Sequence, residues 1–147
     1  MKKHILFLNF VILLFLLALP ACQKDNDNDE PLTESIILGK WEVLSMRSIG
    51  YVNKLMLYDN TETYEANENV LEFLAGGDGK MYEYDEYIDD FAWELNGNVL
   101  TIDHPEMGVI ELKTSLNNND LTLTYSESYE DEGTIYKLEL TIKVKKL

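Results

Sequence analysis

Few residues of this sequence belong to the types that catalyse reactions or bind metals. His104 follows Asp103 and precedes Pro105-Glu106. Imidazole and carboxylate groups are zinc ligands, but a metal site here would need a closed geometry around a turn. The sequence has no Ser-His-Asp arrangement and no phosphate-cradling glycine loop. It therefore predicts that His104 is a surface turn residue and that the protein is not an enzyme and holds no metal or cofactor.

Carboxylates are the most abundant reactive groups. The chain has 27 Asp and Glu against 12 Lys and Arg, and its formal net charge is −15. They cluster in predicted turns at Asp85-Glu86 with Asp89-Asp90 and at Glu130-Asp131-Glu132. A divalent cation is one interpretation of these clusters, and a solvated loop is the favoured one. Such an acidic surface repels phosphate backbones, which argues against nucleic acid as a partner.

The N-terminal residues have the pattern of a signal peptide. Lys2 and Lys3 precede an apolar run from Ile5 to Leu19. This run is shorter than the roughly 20 residues that a membrane-spanning helix needs. We therefore assign residues 1–21 to a signal peptide that is removed from the mature protein.

The run ends in Leu19-Pro20-Ala21-Cys22, which resembles the bacterial lipobox. The resemblance implies that Cys22 is lipidated and that a lipid anchor makes the membrane a partner. Residues 22–35 have few apolar side chains and are predicted to form a flexible tether. Its lysine followed by acidic residues resembles the export signal of Bacteroidota lipoproteins. This implies a location at the outer membrane, facing the periplasm or the cell surface.

Residues 36–147 are predicted to form one all-β domain. From Val70 onward apolar residues recur with period two, interrupted by Gly, Asn and Asp, as in an antiparallel meander. Closing such a meander removes its exposed edges. We therefore predict an up-and-down eight-stranded β-barrel in which the strand of Trp41 pairs with the last strand. The predicted strands are Lys40 to Ile49, Val70 to Leu74, Lys80 to Tyr87, Phe91 to Asn96, Val99 to Asp103, Gly108 to Leu116, Leu121 to Ser126 and Thr134 to Lys145, with one long connection from Gly50 to Asn69.

The order of several short motifs resembles a known family. The motifs are Leu38-Gly39-Lys40-Trp41, Leu71-Glu72-Phe73, Phe91-Ala92-Trp93-Glu94-Leu95, Gly97-Asn98-Val99-Leu100 and Leu121-Thr122-Leu123-Thr124-Tyr125. Together they resemble the lipocalin-like domains of Bacteroidota lipoproteins, which are small calycin-type barrels. The last strand lacks the arginine that stacks on the first-strand tryptophan in larger lipocalins, and Lys143 or Lys145 is expected to replace it.

Two functions remain open. The resemblance implies a barrel that binds a small apolar or amphipathic molecule. The predicted lining of the binding cavity consists of the strand residues Phe73, Trp93, Tyr125 and Leu138 and of Leu57 and Tyr58 in the long connection. The alternative is a structural or protein-interaction lipoprotein whose large side chains fill the barrel and whose surface engages another envelope protein.

Replacing Cys22 tests the predicted anchor. Each buried methylene of an acyl chain contributes about 0.8 kcal/mol to membrane binding, so several chains on one cysteine hold a domain firmly. We expect Cys22→Ala to move the protein into the soluble fraction or to leave it unprocessed, as measured by cell fractionation and mass spectrometry. Acylated, membrane-bound protein from this variant would contradict the assignment.

Overall fold

The computed structural model describes residues 32–147. The predicted signal peptide, Cys22 and residues 22–31 of the predicted tether lie outside the described residues. Within the described part, no helix is long and apolar enough to cross a membrane. The elements are α1 (Glu34–Ile37), β1 (Gly39–Val52), β2 (Leu55–Thr63), β3 (Asn69–Phe73), β4 (Asp78–Glu83), β5 (Glu86–Asn96), β6 (Val99–His104), β7 (Gly108–Asn117), β8 (Asp120–Asp131) and β9 (Thr134–Lys146).

The strands close into a barrel through β1. Each strand from β3 to β8 pairs antiparallel with the next, and β1 pairs with both β3 and β9. Trp41 lies opposite Leu71 of β3 on one side and opposite Lys146 of β9 on the other. The predicted eight-stranded antiparallel barrel and the pairing of its first and last strands are therefore confirmed.

The prediction of a long connection from Gly50 to Asn69 is wrong. Strand β1 continues to Val52, and the chain turns at Asn53-Lys54. Strand β2 then pairs with residues 45–52 of β1, on the edge that pairs with β3 at Gly39–Glu42. Both turn residues have positive φ, 49° and 69°. Glycine is the usual signal for such a turn, and neither residue is glycine. Every residue of β2 is exposed, so β2 lacks the alternation that revealed the other strands.

A second correction concerns β4 and β5. The sequence predicted one strand from Lys80 to Tyr87, but the chain reverses at Tyr84-Asp85, where φ is 48° and 67°. Because β5 then begins at Glu86, Asp89 and Asp90 lie within a strand and not in a turn. As in the first hairpin, neither turn residue is glycine, so the usual signal of a two-residue turn is missing.

Four strands project beyond the barrel on one side. Strand β3 pairs with β1 only through Gly39–Glu42, and β7 pairs with β8 only up to Lys113 and Thr124. Past those points β2, β1, β9 and β8 pair only with one another, in that order. We call this four-stranded sheet, residues 45–52, 55–63, 125–131 and 134–143, the extension.

The opposite end of the barrel is closed by α1. The indole Nε1 of Trp41, which is completely buried, donates a hydrogen bond of 2.6 Å to the carbonyl of Ile37. Lys146 Nζ donates to the carbonyl of Ile36 at 2.7 Å and lies 5.3 Å from the Trp41 ring centroid. Packing against the core begins at Leu32, within the predicted tether 22–35.

The lysine that covers Trp41 differs from the expectation. Either Lys143 or Lys145 was predicted for this position, but both are exposed. Buried Val144 faces the interior between them, so the strand alternation turns its second neighbour, Lys146, inward as well. The ammonium of Lys146 over the indole face is a cation–π contact.

Aromatic rings fill the middle of the barrel. Phe73 meets Phe91 and Trp93 edge to face, with both centroid distances 5.5 Å. Trp93 Nε1 donates to the carbonyls of Leu74 and Asp78, which fixes its ring against the β3–β4 turn. A Cβ at Gly79 would overlap the Phe91 ring, so glycine there leaves the space that this ring occupies.

Truncating Trp41 tests how far the barrel depends on its closed end. Removing a fully buried tryptophan typically costs about 3–5 kcal/mol. We expect Trp41→Ala to lower the free energy of unfolding by this amount in urea denaturation, whereas Lys143→Ala in the neighbouring strand should change it little. An unchanged stability in Trp41→Ala would contradict the packing described.

Candidate functional site

The barrel's interior face continues onto the extension. Val144 and Leu123 are buried inside the barrel, and every second residue outward from them faces the same way. This continuation carries apolar and tyrosine side chains past the last core layer. We define the inner face of the extension as the set Gly50, Val52, Leu57, Tyr58, Glu127, Tyr129, Tyr136 and Leu138.

These residues border an open groove of about 230 Å³. Four of its apolar and tyrosine side chains are substantially exposed: Leu57 at 66%, Tyr129 at 61%, Tyr58 at 48% and Leu138 at 37%. Exposed apolar side chains are ordinary when scattered, but a contiguous set in a concave surface is typical of a binding site. The groove is therefore the candidate site.

Two contacts fix the tyrosines of the groove. A Cβ at Gly50 would overlap the ring of Tyr58, so this ring lies directly on the glycine backbone. Tyr129 and Tyr136 are cross-strand partners whose rings stack with centroids 4.9 Å apart and an interplanar angle of 12°. Tyr58 and Tyr129 therefore lie on the two outer strands, Tyr58 in the same cross-strand row as Leu138 and Tyr129 in the next row.

Glu127 is the charged residue of the inner face as defined above. Tyr125 Oη donates a hydrogen bond of 2.6 Å to Glu127 Oε2. This bond, and then burial, raises the pKa of Tyr125, because the carboxylate stabilises the protonated phenol. Lys137 also borders the groove, but its ammonium bonds Glu139 at 2.5 Å on the opposite face of the sheet.

The outer face of the extension is polar and internally paired. Arg47 donates to both carboxylate oxygens of Asp59, at 2.8 and 2.6 Å. The guanidinium lowers the pKa of Asp59, and the hydrogen bond from Lys137 lowers that of Glu139. Exposed pairs of this kind contribute little to stability. Their effect here is to hold the cationic groups of the extension away from the inner face.

His104 forms no metal site with its neighbours. It is buried at the end of β6, so the expectation of a surface turn residue is wrong about its exposure. Its Nδ1 accepts hydrogen bonds from the backbone N–H groups of Glu106 and Met107, and Nε2 lies 3.3 Å from Asp89 Oδ2. Within residues 32–147 no three potential ligands are grouped around a common point.

The structure separates the predicted ligand-binding residues into two groups. Phe73 and Trp93 lie in the filled core, whereas Leu57, Tyr58 and Leu138 line the groove and Tyr125 bonds its carboxylate. Gly50, Glu127, Tyr129 and Tyr136 were not among the predicted site residues. The alternation Tyr125, Glu127, Tyr129 was the signal that could have found two of them. No protein-family model and no curated protein matches this chain.

The contact between Gly50 and Tyr58 is testable by a double-mutant cycle. Gly50→Ala should displace the Tyr58 ring and destabilise the protein. In a Tyr58→Ala background the same change should be neutral or stabilising, because alanine suits a strand better than glycine. We expect a coupling of about 1 kcal/mol in chemical denaturation. Additive effects would mean that Tyr58 does not lie on Gly50.

Proposed function

We propose that this chain is a non-catalytic, lipid-anchored protein of the bacterial cell envelope that binds an apolar or amphipathic molecule on the inner face of the extension. The observation that carries the binding proposal is the exposed groove of Leu57, Tyr58, Tyr129 and Leu138 beside a core already filled by its own side chains. In this proposal the barrel is a scaffold, and the binding surface lies beyond it.

The packing of the core supports a site outside the barrel. Phe73 and Trp93, which a ligand inside the barrel would have to contact, are nearly inaccessible to solvent and lie edge to face with each other. A ligand there would have to displace these rings. The groove on the extension needs no such rearrangement, because its side chains already face solvent.

The groove and the point where the described chain enters the fold lie at opposite ends of the domain. The resemblance of residues 19–22 to a lipobox supports an anchor at Cys22. The chain enters the fold at α1, where the N–H of Leu32 donates to Asn98 Oδ1 at 3.1 Å. Strand β9 runs for 13 residues, about 40 Å, from the extension to this end. An anchor at Cys22 would then join the domain at the end away from the groove, in the periplasm or at the cell exterior.

A second candidate function is protein interaction through β2. Strand β2 has nine residues, and within the described part of the chain its outer edge pairs with no strand. Leu55 and Met56 are exposed beside this edge. Unpaired edges of this length accept strands from other proteins, with side chains adding specificity. An envelope protein that offers an extended segment is the partner that this edge fits.

Titration with Nile red, a neutral apolar dye, tests the proposed groove. The protein is the mature chain, residues 22–147, carrying Cys22→Ser so that no acyl chain competes. We expect saturable binding with a blue-shifted emission, weakened about fivefold or more by Leu138→Ser, since that change removes most of a leucine's apolar area.

Val109→Ser is the matched control, because Val109 is an exposed apolar residue on β7, outside the extension. This variant should bind the dye as the parent does. Absence of binding, or equal binding by the parent and a folded Leu138→Ser variant, would refute the groove as a site for apolar molecules.

A further inference from the structure

The charges around the groove indicate which amphipathic molecule it suits. We propose that the groove binds an amphipathic cation, a molecule with an apolar body and a positively charged group. This inference rests on the proposed function and specifies the ligand class for the same site. It is carried by three features of the inner face: exposed tyrosine rings, the carboxylate of Glu127, and the placement of the cationic side chains on the other face.

Tyrosine rings are the first feature. Tyr129 is the more exposed member of the stacked pair with Tyr136, so one of its ring faces is covered and the other is available. Tyr58 presents a second ring, on the opposite outer strand of the extension. The face of an aromatic ring is electronegative and attracts cations within about 6 Å of its centroid, best where water is partly excluded. Two such rings bordering an apolar groove are suited to an organic cation.

Glu127 is the second feature. It is opposite Leu138 in the β8–β9 pair, and its side chain borders the groove. Tyr125 donates to its Oε2 and so holds the carboxylate in place beside the tyrosine of the next row, Tyr129. A positive group near Tyr129 would therefore meet a ring face and an oriented carboxylate together. An anionic head group would meet the same carboxylate at an energetic cost.

The third feature is where the cationic side chains of the extension lie. Lys137 borders the groove, but its ammonium bonds Glu139, and Arg47 bonds Asp59, both on the outer face. Lys143 is exposed on that face as well, because its neighbours Ile142 and Val144 face the core. Lys54, in the β1–β2 turn, borders a separate depression on that same outer face with Tyr51 and Ile135. With these groups paired or turned away, Glu127 meets no competing cation from the extension. The net charge of −15 adds long-range attraction for a cation.

Three amphiphiles with the same chain separate charge from apolar contact: decyltrimethylammonium, decyl glucoside and decyl sulfate. Each is titrated below its micelle-forming concentration into the Cys22→Ser mature chain, and binding is followed by calorimetry and by Nile red displacement. Circular dichroism verifies that the protein stays folded. We expect the cation to bind about tenfold more tightly than the neutral glucoside, and the sulfate to bind weakest.

Two substitutions assign the preference to the groove. Glu127→Gln keeps an acceptor for Tyr125 and removes the charge, and Tyr129→Leu keeps apolar area and removes the ring. Each should weaken decyltrimethylammonium binding by about threefold or more and leave decyl glucoside binding nearly unchanged. Glu94→Gln, an exposed carboxylate on β5, is the control, because it changes the net charge equally at a distant position.

Several results would overturn the inference. If the glucoside binds as tightly as the cation and Leu138→Ser weakens both, the groove binds apolar molecules without charge selection, and the proposed function stands alone. If Glu94→Gln weakens cation binding as much as Glu127→Gln, the preference is a property of net charge and not of the groove. If none of the three amphiphiles binds while Nile red does, the inference is refuted and the proposed function stands; if Nile red does not bind either, both are refuted.

Discussion

The pairing of β1 on both of its edges is the constraint on which the rest of the structure depends. At Trp41 one edge of β1 pairs with β3 and the other pairs with β9. The first strand therefore closes the barrel. The indole fills the closed end, and its only polar atom is satisfied by the carbonyl of Ile37. Trp41 therefore lies where the barrel closes and also fills its closed end. Helix α1 and Lys146 cover the indole from outside.

The unequal lengths of the strands explain the extension. Strand β1 has 14 residues and β9 has 13, whereas β3 has only five, so most of one edge of β1 would be unpaired without β2. The hairpin back from Val52 covers that edge with the nearest available strand. The price is an inner face that the opposite wall of the barrel does not cover. Apolar and tyrosine residues on that face are consequently exposed and available to a ligand.

Alternation of apolar residues was sufficient to predict the barrel, and its limits explain the errors. Strand β2 has no buried face, so nothing in Leu55–Thr63 alternates. A bulge at Leu44 also changes which later residues of β1 face inward, and the register shift at Gly50/Tyr51 leaves Leu57 of β2 without a partner residue on β1. Strict alternation from Trp41 along β1 places Ile49 inside the barrel. Because of the bulge at Leu44, Gly50 faces inward and Ile49 faces outward. The contact between Gly50 and the Tyr58 ring therefore depends on a bulge that composition does not reveal. The inward position of Lys146 could have been predicted by counting two residues on from Val144.

The position of the groove within the extension bears on how well it can discriminate between ligands. Leu138 lies on β9 and Gly50 on β1, which are the two central strands, each hydrogen-bonded on both sides. Glu127 and Tyr129 lie on β8 and Tyr58 on β2, which are the outer strands. The apolar floor is therefore held by the sheet, whereas the aromatic and charged walls belong to strands with an unpaired edge. An apolar floor bordered by aromatic and charged side chains suits the proposed recognition of an apolar chain that carries a positive charge.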